Sequence, residues 1–207
     1  MSGAAYTIDD SARSKDADVW FALPPGFVPL PLHELAAARD AAQTDGSLVG
    51  LGPVLRLAQL LLEAGAVHCC LGLHVDDEGD GGPLLSLFTL ARRDTGWAPR
   101  SVLAGRAAVG AEGAEHIEVL DLPCGPASLV QTRLKEPPEL GLGAPGGLLQ
   151  VTAYVPGLDG RRIAILSLAT TAVDHAQHYR DLLRGIAVTV SFEDPLPEVS
   201  DDVADKD

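Results

Sequence analysis

The stretch RRIAILSLATTAVDHAQHYRDLLRGIAVTVSF, residues 161–192, decides the fold. Residues 163–168 are apolar on both faces, which predicts a central strand covered on two sides. Residues 172–184 carry apolar side chains at helical spacing and predict an amphipathic helix. Thr171 is the expected N-cap, with Asp174 as its partner in a capping box.

The same stretch predicts where the helix ends and which element comes next. Gly185 is the expected stop, because glycine enters the left-handed conformation at low cost. Residues 186–192 alternate apolar with small or polar side chains and predict a last strand. A helix between two strands makes these strands the candidates for a parallel pair.

Outside this stretch, the sequence predicts an α+β fold with a largely antiparallel sheet. Most of the predicted strands are joined by short turns rich in glycine and proline, as in hairpins. The chain alternates these strands with a few flanking helices, which favours a sandwich. Strands are predicted at 66–75, 84–92, 115–122, 127–135 and 148–155, and helices at 33–43, 53–64 and 99–108.

Composition indicates one domain with tails. The chain has 207 residues, of which 46% are hydrophobic and 4% aromatic. We expect the domain to span residues 19–192, between disordered tails at 1–18 and 193–207. The apolar runs are all shorter than the roughly 20 residues of a membrane span, and the three cysteines make no disulfide framework. The expected location is the cytoplasm.

Charge argues against nucleic acid and membrane surfaces as partners. The formal net charge is −14, and residues 193–207 hold seven acidic residues against one lysine. Such a chain repels phosphate backbones and anionic lipid headgroups. The acidic tail is interpreted as a solubilising extension.

The strongest cofactor pattern fails on its context. Residues 141–146, GLGAPG, match the letters of the dinucleotide fingerprint. That fingerprint must follow a strand and open a helix, so that the helix N-terminus meets the pyrophosphate. Here it precedes a predicted strand. We therefore predict an ordinary loop and no cofactor.

Two clusters of potential metal ligands also fail on geometry. His68 and Cys70 share one face of the predicted strand, whereas Cys69 points to the other face and His74 lies roughly 20 Å from His68. No CxxC or HExxH spacing supplies further ligands. The acidic turn at 76–82 lacks the closing glutamate of a calcium loop, since the twelfth position is Leu87. No metal is expected.

The catalytic candidates are isolated. Cys124 lies at the end of a predicted strand, but the sequence identifies no base or positive field for it. His116 on the preceding strand is the one candidate partner. Glu115 and Glu118 point to opposite faces of that strand and cannot act together.

Two further histidines lie on the predicted helix 172–184. His175 and His178 are expected on its exposed face, with Asp174 and His178 at the spacing of an ordinary helical contact. Neither histidine is predicted to be catalytic.

Three segments together resemble a known group of proteins. These are Leu23-Pro24-Pro25-Gly26-Phe27, Leu122-Pro123-Cys124-Gly125-Pro126 and the ending from Ile165 to Phe192. They resemble a group of uncharacterised actinobacterial proteins, and the overall plan is similar to the PsbP-like α/β/α sandwich, in which helices flank a central, mainly antiparallel sheet. The resemblance implies a cytosolic, non-catalytic protein associated with an actinobacterial secretion system. It assigns no functional residue.

The leading hypothesis is therefore a non-enzymatic scaffold or adaptor that binds another protein. Trp20, Phe21 and Phe27 form its expected interaction surface. The alternative is a small-molecule-binding protein or an enzyme, with a pocket between sheet and helices lined by His68, Cys70 or Cys124. A homodimer joined through a sheet face or edge is compatible with either.

Overall fold

Seven antiparallel strands form one sheet in the part of the chain that the structure, a computed structural model, describes, namely residues 18–34, 59–75, 83–134 and 147–194. The strands are β1 (Phe27–Pro29), β2 (Ala66–Val75), β3 (Pro83–Asp94), β4 (Ala114–Leu122), β5 (Gly125–Leu134), β6 (Leu148–Pro156) and β7 (Arg162–Thr170). Their order across the sheet is β1-β2-β3-β7-β6-β5-β4. Two α-helices accompany the sheet, α1 (Arg100–Val109) and α2 (Ala176–Val188), and residues 32–34 and 59–63 are also helical.

The main core lies between the sheet and α2. Phe88, Leu168 and Val151 lie opposite one another on adjacent strands, and all three are fully buried. The helix buries the stripe Tyr179, Leu183, Ile186 and Ala187 against strands β5, β6 and β7. We call this side of the sheet the α2 face.

The other side of the sheet, the opposite face, carries different contacts. Ser128 points away from the α2 face by strand alternation, and its Oγ donates a hydrogen bond of 2.8 Å to the carbonyl of Ala104 in α1. Helix α1 contacts β5 and β6. A second, smaller apolar cluster contains Leu32, Ala66 and Cys69, with Leu30, Leu61, Leu62 and Leu87 packed around it.

Most of the predicted elements within the described residues are confirmed. The hairpin of β2 and β3, strands β4 to β6 and the central strand β7 agree with the predicted ranges to within about two residues. The short helix predicted at 99–108 is α1. A mixed α+β fold with a sheet-dominated core is therefore shown.

The predicted last strand is wrong. Residues 186–188 continue α2, and only Ser191 makes a single antiparallel bridge, to Trp20. Gly185 does not end the helix. Its φ is not positive, and a Cβ added there would have no atom within 4 Å, so it occupies an ordinary helical position. Ile186 and Val190 are four residues apart, so one burial pattern fits a helix end as well as a strand.

Two other predictions about this end of the chain are also wrong. With β7 as the last strand, the parallel pair is wrong, and each described pairing is antiparallel. The capping box is also wrong, since the turn at Val173–His175 has no side-chain cap at Ala172. The Thr170 hydroxyl instead accepts a hydrogen bond of 3.1 Å from the backbone N–H of Ala172.

Some predictions lie outside the described residues. These are the tails beyond residues 18 and 194, most of the helices at 33–43 and 53–64, the turn at 76–82 and the glycine pattern at 141–146.

Candidate functional site

The aromatic residues predicted as an interaction surface lie along the edge of the core. The Phe21 ring is 5.4 Å from the rings of both His68 and Phe88. The Phe27 ring is 5.0 Å from the His74 ring and 6.1 Å from Phe88. Both phenylalanines are half-buried and pack against the main core. Trp20 is also half-buried. These rings are therefore engaged within the chain itself.

His68 and Cys70 meet on the α2 face, as their spacing predicts. His68 Nε2 lies 3.1 Å from Cys70 Sγ, and Cys70 is fully buried. Cys69 points to the opposite face, where burial raises the pKa of its thiol to about 11. Among the described residues, no group of three or more His, Cys, Asp or Glu side chains is placed to hold a metal ion.

Cys124 is held in a turn by an arginine rather than activated by a base. The Arg100 guanidinium donates to the carbonyl of Cys124, and also to that of Pro156 at 3.0 Å. Gly125 has φ +119° and leaves the room that the guanidinium occupies. Burial raises the pKa of the Cys124 thiol, although Arg100 opposes this effect. A protonated thiol is a poor nucleophile.

The polar side chains that the sequence suggests as site residues lie far apart in the structure. His116 lies opposite Gln131 on β5, six residues along β4 from its end, or roughly 20 Å from Cys124. Cys70 on β2 and Cys124 beyond β4 are separated by the four intervening strands β3, β7, β6 and β5. The structure therefore does not bring His68, Cys70 and Cys124 into one pocket.

The two histidines of the α2 region differ in exposure. His178 is exposed, as predicted, and its ring is 6.3 Å from that of His74. His175 is half-buried, which the helical pattern did not indicate.

A polar pair that sequence reasoning missed lies above Gly72. Ser86 Oγ and His74 Nε2 both lie within 3.0 Å of the position that a Cβ at Gly72 would take. Both atoms are buried, and neither has a hydrogen-bond partner among the described residues. Burial lowers the pKa of His74, and the nearby His178 lowers it further. The sequence contained one signal for this pair, Gly72, since a glycine inside a strand often marks a site where another group approaches the backbone closely.

The Ser86 hydroxyl is expected to contribute nothing to stability. Removing an unpaired buried hydroxyl relieves its desolvation cost, so Ser86→Ala should leave the free energy of unfolding unchanged or raise it by about 1 kcal/mol. Urea denaturation followed by circular dichroism would measure this.

Ser128→Ala is the matched control, because the Ser128 hydroxyl is buried and bonded to Ala104. It should lower the free energy of unfolding by about 1 kcal/mol or more. Equal losses in both variants would show that the Ser86 hydroxyl has a partner.

A small cleft lies at one end of the α2 face. It has a volume of about 160 Å³, and Val19, Phe192 and Ala164 contribute apolar walls. Two arginines close over it. Arg92 pairs with one carboxylate oxygen of Asp18, and Arg162 Nη1 lies 2.7 Å from the other. The cleft's charges are therefore already paired with each other.

Among the described residues, exposed aliphatic side chains gather on the opposite face, at strands β1 to β3. Val28, Leu71, Leu73 and Leu85 are 59%, 40%, 54% and 52% exposed. Val28 pairs with Leu71, and Leu73 pairs with Leu85, so the four side chains are contiguous. We call these four residues the apolar patch. Aliphatic side chains gathered in this way mark interaction sites on folded proteins.

Comparison of the chain with protein-family models and with curated protein sequences gave no match. In the described ranges, no helix has both the length and the apolar character needed to cross a membrane.

Proposed function

We propose that this chain is a non-catalytic scaffold or adaptor that binds a partner protein on the apolar patch. The observation that carries the proposal is the set of four contiguous, half-exposed aliphatic residues on β1 to β3. Burying them in an interface would remove a large aliphatic surface from water. The formal net charge of −14 favours a partner whose interface is apolar with a basic margin.

The contacts of the helices bear on the proposed fold. Ser128 reaches α1 from one face of β5, whereas Gln131 reaches Arg180 of α2 from the other face. This alternation is compatible with an α/β/α sandwich of the PsbP-like kind. The association with an actinobacterial secretion system is part of the proposal and comes from the sequence resemblance alone. Such a sandwich would leave the edges of the sheet and the apolar patch for partners.

The alternative function, a pocket-based enzyme or small-molecule binder, has less support. His68 lies against Phe21 and Cys70 lies next to His68, and Cys124 lies four strands away. The cleft near Asp18 is small and its arginines are paired.

Leu73→Asp tests the apolar patch. Affinity purification from the cells that produce the protein should recover a stoichiometric partner with the wild type and at least about tenfold less with Leu73→Asp, because a buried unpaired carboxylate opposes docking. Val109→Asp, at an 84% exposed position on α1, is the matched control and should retain the partner.

Thermal denaturation completes the test. Leu73→Asp should unfold within about 2 °C of the wild type, since exposed positions tolerate substitution. Recovery of the same partner by Leu73→Asp, absence of any stoichiometric partner, or a large loss of thermal stability would each contradict the proposal.

A further inference from the structure

We infer that two copies of this chain pair edge to edge through β4, with Ile117 on the two-fold axis. Strand β4 (Ala114–Leu122) is the last strand of the sheet, and within the described ranges no strand pairs with its outer side. The other edge, β1, has three residues and ends at Pro29, which cannot donate to a ladder. An open edge of nine residues is a ready template for another strand.

Two side chains of the outer strand are exposed aliphatic residues. Ile117 and Val119 point to the opposite face, and they are 49% and 80% exposed. Both are β-branched residues, which pack well between neighbouring strands. A second strand alongside β4 would bury them.

Two of the three acidic residues of β4 are offset by arginines within the chain. Arg184 of α2 lies 2.7 Å from Glu118, and Arg133 of β5 lies 3.4 Å from Glu115. The hydrogen bonds to Glu118 and Asp181 raise the pKa of Arg184. These arginines reduce the repulsion between two β4 strands placed side by side.

Charge complementarity selects the register. In an antiparallel pair centred on Ile117, His116 of each copy lies opposite Glu118 of the other, and the two Ile117 side chains meet. A pair centred on Glu118 would place the two carboxylates directly opposite each other. A pair centred on Val119 would place Ile117 opposite Asp121. Of the three, only the Ile117 register sets each His116 opposite a Glu118 and joins two aliphatic side chains on the axis, although it also sets Val119 opposite Glu115.

The proposal predicts an unusual salt dependence. Each copy has a formal net charge of −14, so the copies repel one another at long range. Added salt screens this repulsion, with a Debye length of about 10 Å at 0.1 M. The edge pairing should therefore strengthen as the salt concentration rises, opposite to an interface that depends on attraction between unlike charges.

Light scattering after size-exclusion chromatography tests the dimer. At about 100 μM protein and 0.3 M NaCl, we expect twice the chain mass of 21.5 kDa, with a larger monomer fraction at 0.02 M NaCl. Ile117→Lys should give a monomer, because two ammonium groups would meet on the axis. Val109→Lys, at an exposed position on α1, should still dimerise.

Cysteine cross-linking tests the register. Opposed residues of an antiparallel pair have Cα atoms about 5 Å apart, within the range of a disulfide. Ile117→Cys should therefore cross-link at least tenfold more than the wild type under mild oxidation. Val119→Cys should not, because the two positions would lie about 14 Å apart.

A monomer under all these conditions, a dimer that Ile117→Lys leaves intact, or preferential cross-linking of Val119→Cys would overturn the proposal. None of these outcomes bears on the apolar patch, which lies at the other edge of the sheet.

Discussion

Replacing Leu183 by Ala is expected to lower the free energy of unfolding by about 2–5 kcal/mol. Leu183 is fully buried between Tyr179 and Ile186 on the inner stripe of α2, and it belongs to the main core. The substitution removes three carbon atoms from water-excluded packing and leaves a cavity that the surrounding strands cannot fill. For a domain of this size, the midpoint of thermal unfolding should fall by at least about 5 °C.

Val188→Ala provides the control on the same helix. Val188 is 46% exposed, so its truncation should change the free energy of unfolding by no more than about 0.5 kcal/mol. Urea denaturation followed by tryptophan fluorescence and by circular dichroism would measure both variants. If Leu183→Ala cost less than about 1 kcal/mol, α2 would not be packed on the sheet as described.

The hairpins and the central strand were predictable because local patterns and tertiary packing agree there. Residues 163–168 are apolar on both faces, and β7 lies in the middle of the sheet with neighbours β3 and β6. Strands β5 and β6 also have a neighbouring strand on each side, and their buried residues come from both faces. A strand of this kind needs no knowledge of its partners to be recognised.

The end of the chain was not predictable in the same way. Residues 186–192 fit either a strand or a helix end, and Gly185 tipped the prediction towards a strand. The structure favours the helix because Ile186 and Ala187 extend the buried stripe of α2. Gly185 has open space beside it and costs the helix only local stability, roughly 0.5–1 kcal/mol relative to Ala.

Whether an apolar residue is buried or exposed depends on how its strand pairs with its neighbours, and the sequence alone does not reveal this pairing. Phe21 and Phe27 are conspicuous in sequence, yet they lie against Phe88 in the structure. Leu73 and Leu85 look like ordinary core residues, yet they pair on an exposed face. Hydrophobicity alone cannot distinguish these cases, because the face that a strand buries is decided by distant elements.

The two proposals together imply a bivalent assembly. The apolar patch lies on β1 to β3, and β4 lies at the far edge of the same sheet. A dimer through β4 would place two patches at opposite ends of a continuous sheet, roughly 50 Å apart at a strand spacing of about 4.8 Å. A partner with two matching sites would then bind with avidity that exceeds either contact alone.

Gly72→Ala is the second substitution with a large expected effect. The added Cβ would lie 2.8 Å from Phe27 Cε1 and 3.0 Å from His74 Nε2, and closer still to Ser86 Oγ. Ser86 is buried, and Phe27 and His74 pack on each other, so the three side chains cannot all withdraw without moving β1. We expect the free energy of unfolding to fall by about 3 kcal/mol, the upper end for overpacking a core.

Two further variants make the Gly72 prediction specific. Gly105→Ala is the control, because no atom lies within 4 Å of its added Cβ on helix α1, and it should stabilise the protein by about 0.5–1 kcal/mol. Adding Ser86→Ala to Gly72→Ala removes the nearest clash and should raise the free energy of unfolding by at least about 1 kcal/mol more than Ser86→Ala raises it in the wild type, a non-additivity expected only for side chains in contact. Additive effects of Gly72→Ala and Ser86→Ala in urea denaturation would mean that the hydroxyl does not lie over Gly72, and the polar pair would have to be abandoned.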